Sequence, residues 1–107
     1  MSYLVLRTDT ADEQIREIAQ YLARVSGNVD VALRFVDRID EVAASLAEFP
    51  ERGAVPRWGT LARQGYRCVR AGEYLVLYKT DRREETVTIH AVVHGRREYW
   101  RLLGDGE

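Results

Sequence analysis

Residues 65–99 read GYRCVRAGEYLVLYKTDRREETVTIHAVVHGRREY, and the fold is decided inside them. Three β-prone runs lie here: Tyr66 to Arg70, Tyr74 to Lys79 and Thr86 to Val93. Their β-branched and aromatic residues favour extended chain. Ala71-Gly72 supplies a two-residue hairpin turn, and Asp81 to Glu85 a charged tip. The expectation is an antiparallel meander. After His94-Gly95, Arg96 to Leu103 reads as a short helix with Tyr99, Leu102 and Leu103 as its apolar residues.

Turn length then sets register, because antiparallel partners keep a constant index sum. With Ala71-Gly72 as the whole first loop, Arg70 pairs with Glu73, Cys68 with Leu75 and Tyr66 with Leu77. With the second loop at Arg82 to Glu85, Tyr78 pairs with Ile89, Val76 with Ala91, Tyr74 with Val93, Leu77 with His90 and Glu73 with His94. One face is then Val69, Tyr74, Val76, Tyr78, Ile89, Ala91 and Val93, apolar enough to receive a helical layer. The other mixes Tyr66, Leu75, Leu77 and Val92 with Arg70, Glu73, His90 and His94. A one-residue bulge at the charged tip would break the second register and turn both histidines toward the core side.

Upstream, Tyr3-Leu4-Val5-Leu6 is a short β-prone run, and Thr10-Ala-Asp-Glu13 matches a capping box, so a helix is expected from about Ala11. Ala11, Ile15, Ile18, Leu22 and Val25 make its apolar stripe, and Ser26-Gly27-Asn28 stops it. Ala32, Phe35, Ile39, Val42, Leu46 and Phe49 repeat the pattern until Pro50 closes it. Two such stripes joined by a short turn make an antiparallel helical hairpin. Residues 50–64 have no clear period and read as an ordered loop. The fold class is α+β, a single domain over residues 1–107 in the order β-α-α-β-β-β-α. It is an antiparallel sheet with a helical hairpin on one face and a short C-terminal helix.

The chain has 107 residues, 46% of them hydrophobic and 31% charged, the mix of a soluble globular protein. No apolar run approaches the roughly 20 residues of a membrane span, so no membrane association and a cytoplasmic location are expected. Cys68 is the only cysteine, and neither it nor His90 and His94 falls in a zinc pattern, so no metal and no cofactor are implied. Net charge is −1. Met1 to Gly53 carries six basic and ten acidic residues, net −4, whereas Ala54 to Glu107 carries ten basic and seven acidic, net +3. Fifteen of the sixteen basic residues are arginine, which fits either a GC-rich genome or a need for planar, phosphate-binding forks.

Arg70 on a strand, beside His94 and the Arg96-Arg97 pair that opens the last helix, is the kind of cluster that binds phosphate through forked donors. Arg67 and Trp100 complete the candidate target-binding surface. Each member also has an ordinary structural role: Arg70 as a cross-strand partner of Glu73, Arg96, Arg97 and Arg101 as a solvated helix face, Tyr99 and Cys68 as packing residues. Trp58 and Trp100 are expected anchors for packing or for a partner.

Gly65 to Arg70, Glu73 to Tyr78, Val87-Thr-Ile and the run VVHGRREY from Val92 to Tyr99 resemble the second half of RelE/ParE toxins, and the FPERG segment, Phe49 to Gly53, fits the same pattern. The resemblance implies the toxin component of a type II toxin–antitoxin system of the plasmid-stabilisation type, which inhibits growth until its cognate antitoxin protein neutralises it. ParE-like members poison DNA gyrase without hydrolysing anything. RelE-like members are mRNA interferases that cut mRNA on the ribosome. The RelE pattern implies Arg70, His94, Arg96 and Tyr99 as catalytic residues, but many such chains place an arginine where this one has Leu75. The succession GYR, YLVLY and HGRRE is nearer in wording to ParE.

Overall fold

The computed structural model describes residues 2–57 and 59–96. Its elements are β1 (Leu4–Arg7), α1 (Asp9–Ser26), α2 (Val29–Glu48), α3 (Gly59–Arg63), β2 (Tyr66–Ala71), β3 (Tyr74–Asp81) and β4 (Thr86–His94). The expected C-terminal helix, with Arg97, Tyr99 and Trp100, lies outside the described residues, as does Trp58. β2, β3 and β4 form the expected antiparallel meander, and β1 adds to β4 in parallel, giving the order β1-β4-β3-β2. The loop expected over residues 50–64 contains α3, a short helix without a periodic stripe to announce it.

α1 begins two residues before the sequence pattern places it. Thr8, not Thr10, is the N-cap: its hydroxyl oxygen accepts from the amide of Ala11 at 3.0 Å and donates to the carbonyl of His90 at 3.3 Å. β1 is the reason, since the amide of Thr8 is the last to bond to β4, through Ile89, and the chain turns there. Thr8→Ala should therefore lower stability by about 1 kcal/mol, while Thr10→Ala on the exposed first turn should be near neutral. Urea unfolding of the two variants checks this, and equal losses would contradict Thr8 as the cap.

Gly27, at φ 68°, ends α1, and Asn28 caps α2, so a two-residue link folds one helix back along the other. Ala11, Ile15, Phe35, Ile39, Val42 and Leu46 bury themselves on the sheet. The stripe overruns the sheet at both ends, leaving Val25 63% and Phe49 67% exposed. Each fully buried branched aliphatic here contributes roughly 1.5–3 kcal/mol.

The registers depart from expectation in two ways. The first turn is Gly72-Glu73, so Ala71 pairs with Tyr74 and Arg70 with Leu75. Gly72 has φ 66°, and a tight hairpin puts its positive-φ glycine at the first turn position. The shift is two residues, so the faces of β2 and β3 survive it. Between β3 and β4, Tyr78 pairs with Ile89 as expected, but the register then slips and Leu77 pairs with Ala91. His90 is the extra residue, a bulge in mid-strand and not at the tip, where Asp81 pairs with Thr86 and its carboxylate accepts from the amides of Arg83 and Glu84.

Beyond the bulge every β4 side chain changes face. Val92 joins Val69, Ala71, Val76, Tyr78, Val87 and Ile89 beneath the helices. Ala91 and Val93 move to the opposite face with Leu61, Tyr66, Leu75 and Leu77, which form a second apolar cluster. That face is thus less polar than the unbroken register implied. Gln14 of α1 compensates where β1 no longer pairs, its side-chain oxygen accepting from the amide of Val92 at 2.8 Å. No helix of the described residues is long and apolar enough to cross a membrane.

Candidate functional site

The bulge also places the histidines. His94, expected in one row with Arg70 and Glu73, pairs instead with Tyr74, its ring packed edge-on at 5.5 Å. Tyr74 in turn packs edge-on against Phe35 of α2 at 5.1 Å. His94 Nδ1 accepts from the amide of Arg96 at 3.2 Å, which leaves the neutral ring's proton on Nε2, 3.4 Å from a carboxylate oxygen of Glu73. The amide of Gly95 donates to the carbonyl of Glu73 at 2.9 Å. The end of β4 is thereby latched onto the β2–β3 turn.

This latch gathers Arg70, Gly72, Glu73, His94, Gly95 and Arg96 around a cleft of about 380 Å³. The Arg70 guanidinium lies over Gly95, where a Cβ would come within 3.2 Å of it, and reaches the carbonyl of Gly72 at 3.5 Å. Arg70 and Arg96 are exposed, and neither is ion-paired among the described residues. They supply forked donors to an anionic group from two sides. Both His94 nitrogens are engaged, so proton transfer by this ring would require release of the Arg96 amide or of Glu73.

Arg67 is not part of this cluster. Three positions before Arg70 on a strand it faces the opposite way, opposite Tyr78, and donates to the carbonyl of Gly53 at 2.8 Å. Burial pushes the Cys68 thiol above its usual range, with Arg70 pulling the other way, so it is a packing residue and not a ready nucleophile. Among the described residues no cluster of three metal-ligating side chains occurs.

His90, the bulged residue, rests edge-on against Tyr66 at 5.4 Å, and Lys79 lies 4.6 Å from the centre of that ring. Burial, and then the Lys79 charge, hold its imidazole below the usual 6.5. The unfolded chain therefore binds this proton more readily. The stability owed to neutral His90 is complete above the unfolded pKa and falls as pH drops from about 6.5 toward the lower folded value. Chemical denaturation from pH 7.5 to 5 should show a steeper loss for the native chain than for His90→Gln, and parallel curves would refute this.

A small meander sheet with a helical hairpin on one face, and arginines gathered where the β2–β3 turn meets the end of β4, is the α+β architecture that the resemblance to RelE/ParE toxins implied. The family model for the ParE toxin of the type II toxin–antitoxin system parDE matches residues 5–99, and the chain belongs to that family. Among solved structures, the toxin–antitoxin complex RelBE2 of Mycobacterium tuberculosis contains a chain 28% identical to this one. The match covers 88% of this chain and 99% of that one, with a TM-score of 0.66. A chain of the chromosomal ParDE system of P. aeruginosa shares the fold at 16% identity and a TM-score of 0.68, over 87% of this chain and 96% of that one. No curated protein matches this chain in sequence.

Proposed function

We propose that this toxin acts as ParE-like proteins do, by binding DNA gyrase and blocking it without hydrolytic chemistry, and that a cognate antitoxin neutralises it. The observation that carries the reading is Leu75. It stands directly opposite Arg70 and is buried in the second apolar cluster, where a nuclease of the RelE pattern would carry another arginine. With Arg67 held by Gly53, the arginines that line the cleft beside His94 are Arg70 and Arg96. That suits docking to a protein better than cutting a phosphodiester, which needs a base, an acid and several cations around one phosphate. A supercoiling assay with purified gyrase tests it, and undiminished supercoiling at saturating toxin would sink it.

One observation favours a second reading, a ribosome-dependent mRNA endonuclease: Arg70, His94 and Arg96 do converge on one cleft. Primer extension on mRNA from a translation reaction containing the toxin should then reveal cuts at codon boundaries that vanish with Arg70→Ala. The antitoxin partner is supported by the family and by the complexes in which the similar chains occur.

A further inference from the structure

The chain turns where β4 ends, and His94 closes that turn with its own side chain. Its Nδ1 accepts from the amide of Arg96, two residues on, at 3.2 Å. An asparagine oxygen makes the same contact in an Asx turn, as Asn28 does to the amide of Asp30 at 2.9 Å. The two acceptors differ in one respect. An asparagine oxygen accepts at any pH, whereas imidazole Nδ1 accepts only while the ring is neutral and carries its proton on Nε2. Once protonated, both ring nitrogens are donors.

The His94 side chain is 37% exposed, so a proton reaches it from solvent without any opening of the sheet. Protonation then sets one N–H against another, and the bond to Arg96 gives way to repulsion. The neighbouring contacts respond differently. Nε2 faces a carboxylate oxygen of Glu73 at 3.4 Å, and a charge on the ring turns this contact into an ion pair. The Gly95 amide donates to the carbonyl of Glu73, a bond in which the imidazole takes no part. Around the ring stand Glu73 from the β2–β3 turn, Tyr74 from β3, Arg70 from β2, and Glu17 and Tyr21 from α1. Arg34 and Arg38 of α2 line the groove that runs past Glu73 and Tyr74. Of these charges Glu73 is the one within ion-pair distance, so it keeps hold of the charged ring, while Arg70 and Arg96 are repelled by it.

We propose that His94 is a proton-operated positioning residue: neutral, it holds Arg96 against the cleft, and charged, it keeps Glu73 and releases Arg96. Arg70 is anchored in β2, but Arg96 stands after the last strand, so its place in the cleft depends on this turn. The cleft then has two cationic walls at neutral pH and one in acid. The inference concerns the cleft whatever its target; only the consequence for supercoiling rests on the gyrase reading above.

The test is nuclear magnetic resonance of the isotope-labelled full chain from about pH 8 to about pH 5, the interval in which imidazoles change charge. In the upper part of that range the ring nitrogens of His94 should show the Nε2–H tautomer, and the Arg96 amide should be shifted downfield and protected from solvent exchange. As the ring takes up its proton, the Arg96 amide should lose both signatures with the same midpoint, while the Gly95 amide keeps its own. His94→Asn should hold the Arg96 amide bonded throughout, and His94→Ala should show it released throughout. His90 is common to all three proteins, so its titration cancels. A neutral ring with its proton on Nδ1, an Arg96 amide indifferent to the titration of His94, or the same pH response in His94→Asn overturns the proposal. The tautomer is read on the native chain and decides even where a variant misfolds. In the supercoiling assay, the toxin concentration that half-inhibits gyrase should rise from about pH 8 to about pH 6 by about threefold more for the native chain than for His94→Asn, the factor one lost hydrogen bond supplies. Equal rises overturn the positioning role. Absence of inhibition at every pH sinks the gyrase reading and leaves the resonance result to decide this one.

Discussion

Replacing Gly53 by alanine should destabilise the protein by about 2–4 kcal/mol, more than the removal of any single hydrogen bond described above. A Cβ at this buried position would lie 2.6 Å from the phenol oxygen of Tyr78 and 2.9 Å from both the carbonyl oxygen of Cys68 and the Cε1 of Tyr78. Cys68 is fixed in β2 between Leu77 on one side and Ala54 on the other, with which it exchanges two backbone hydrogen bonds of 2.9 Å, so the strand cannot yield cheaply. The amide of Gly53 donates to Tyr78 at 3.0 Å, its carbonyl accepts from Arg67, and the carbonyl of Pro50 accepts from Thr80 at 3.2 Å. Displacing Gly53 therefore strips a whole loop from the sheet edge. Tyr78→Phe alone should cost about 1–2 kcal/mol, because it leaves a buried amide without its acceptor. In the double variant Gly53→Ala/Tyr78→Phe the two losses should add to less than their sum, since both break one bond, but the Cys68 carbonyl still forbids recovery. Urea denaturation of the four proteins checks the cycle, and a Gly53→Ala loss below about 0.5 kcal/mol, the range of ordinary surface substitutions, would refute the packing argument.

Gly53 also marks where the sequence stops being legible. The FPERG segment resembles a family motif, but nothing in a string of Pro, Glu, Arg and Gly says that it lies across β2 and satisfies a buried tyrosine. The two long helices were readable because a stripe at helical spacing has one packing solution, and the β2–β3 faces survived a wrong turn because the error was two residues. β4 was not so forgiving. One bulged residue, His90, sits in a run whose neighbours Ile89, Ala91, Val92 and Val93 are apolar on either parity, so alternation could not locate it. That single residue exchanged the faces of Ala91, Val92 and Val93 and carried His94 to the Tyr74 row.

The candidate site was half legible for a related reason. Arg70 near the end of β2 and His94 and Arg96 at and after the end of β4 fall at the same end of an up-and-down meander, so the strand order alone brings them together. Arg34 and Arg38 were hidden because an arginine on the outer side of an amphipathic helix is ordinarily a solvated residue. Only the approach of α2 to the Gly72 turn makes them part of a groove.

Arg70 should be the most consequential single side chain for activity. It lines both the cleft with Arg96 and the groove with Arg38, yet it is exposed and its intramolecular bond to Gly72 is a long one, so Arg70→Ala should leave folding stability within about 0.5 kcal/mol of the native value. A charge-assisted contact to a target is worth roughly 1.5–3 kcal/mol, so under the proposed gyrase-binding function the concentration of toxin needed to inhibit supercoiling should rise on the order of 10- to 100-fold. The lysine variant separates the mechanisms. If Arg70 meets a carboxylate of a protein target as one positive charge on a rim, Arg70→Lys keeps most of the inhibition and the residual effect is screened by salt. If Arg70 instead grips the equatorial oxygens of a scissile phosphate, lysine cannot reproduce the fork, and cleavage should fall by about 10²–10³ in rate even though charge is retained. The comparison is made on the same three proteins in the supercoiling and translation assays, with thermal unfolding as the fold control. Full inhibition of gyrase by Arg70→Ala would remove this side chain, and with it the cleft, from the toxin's working surface.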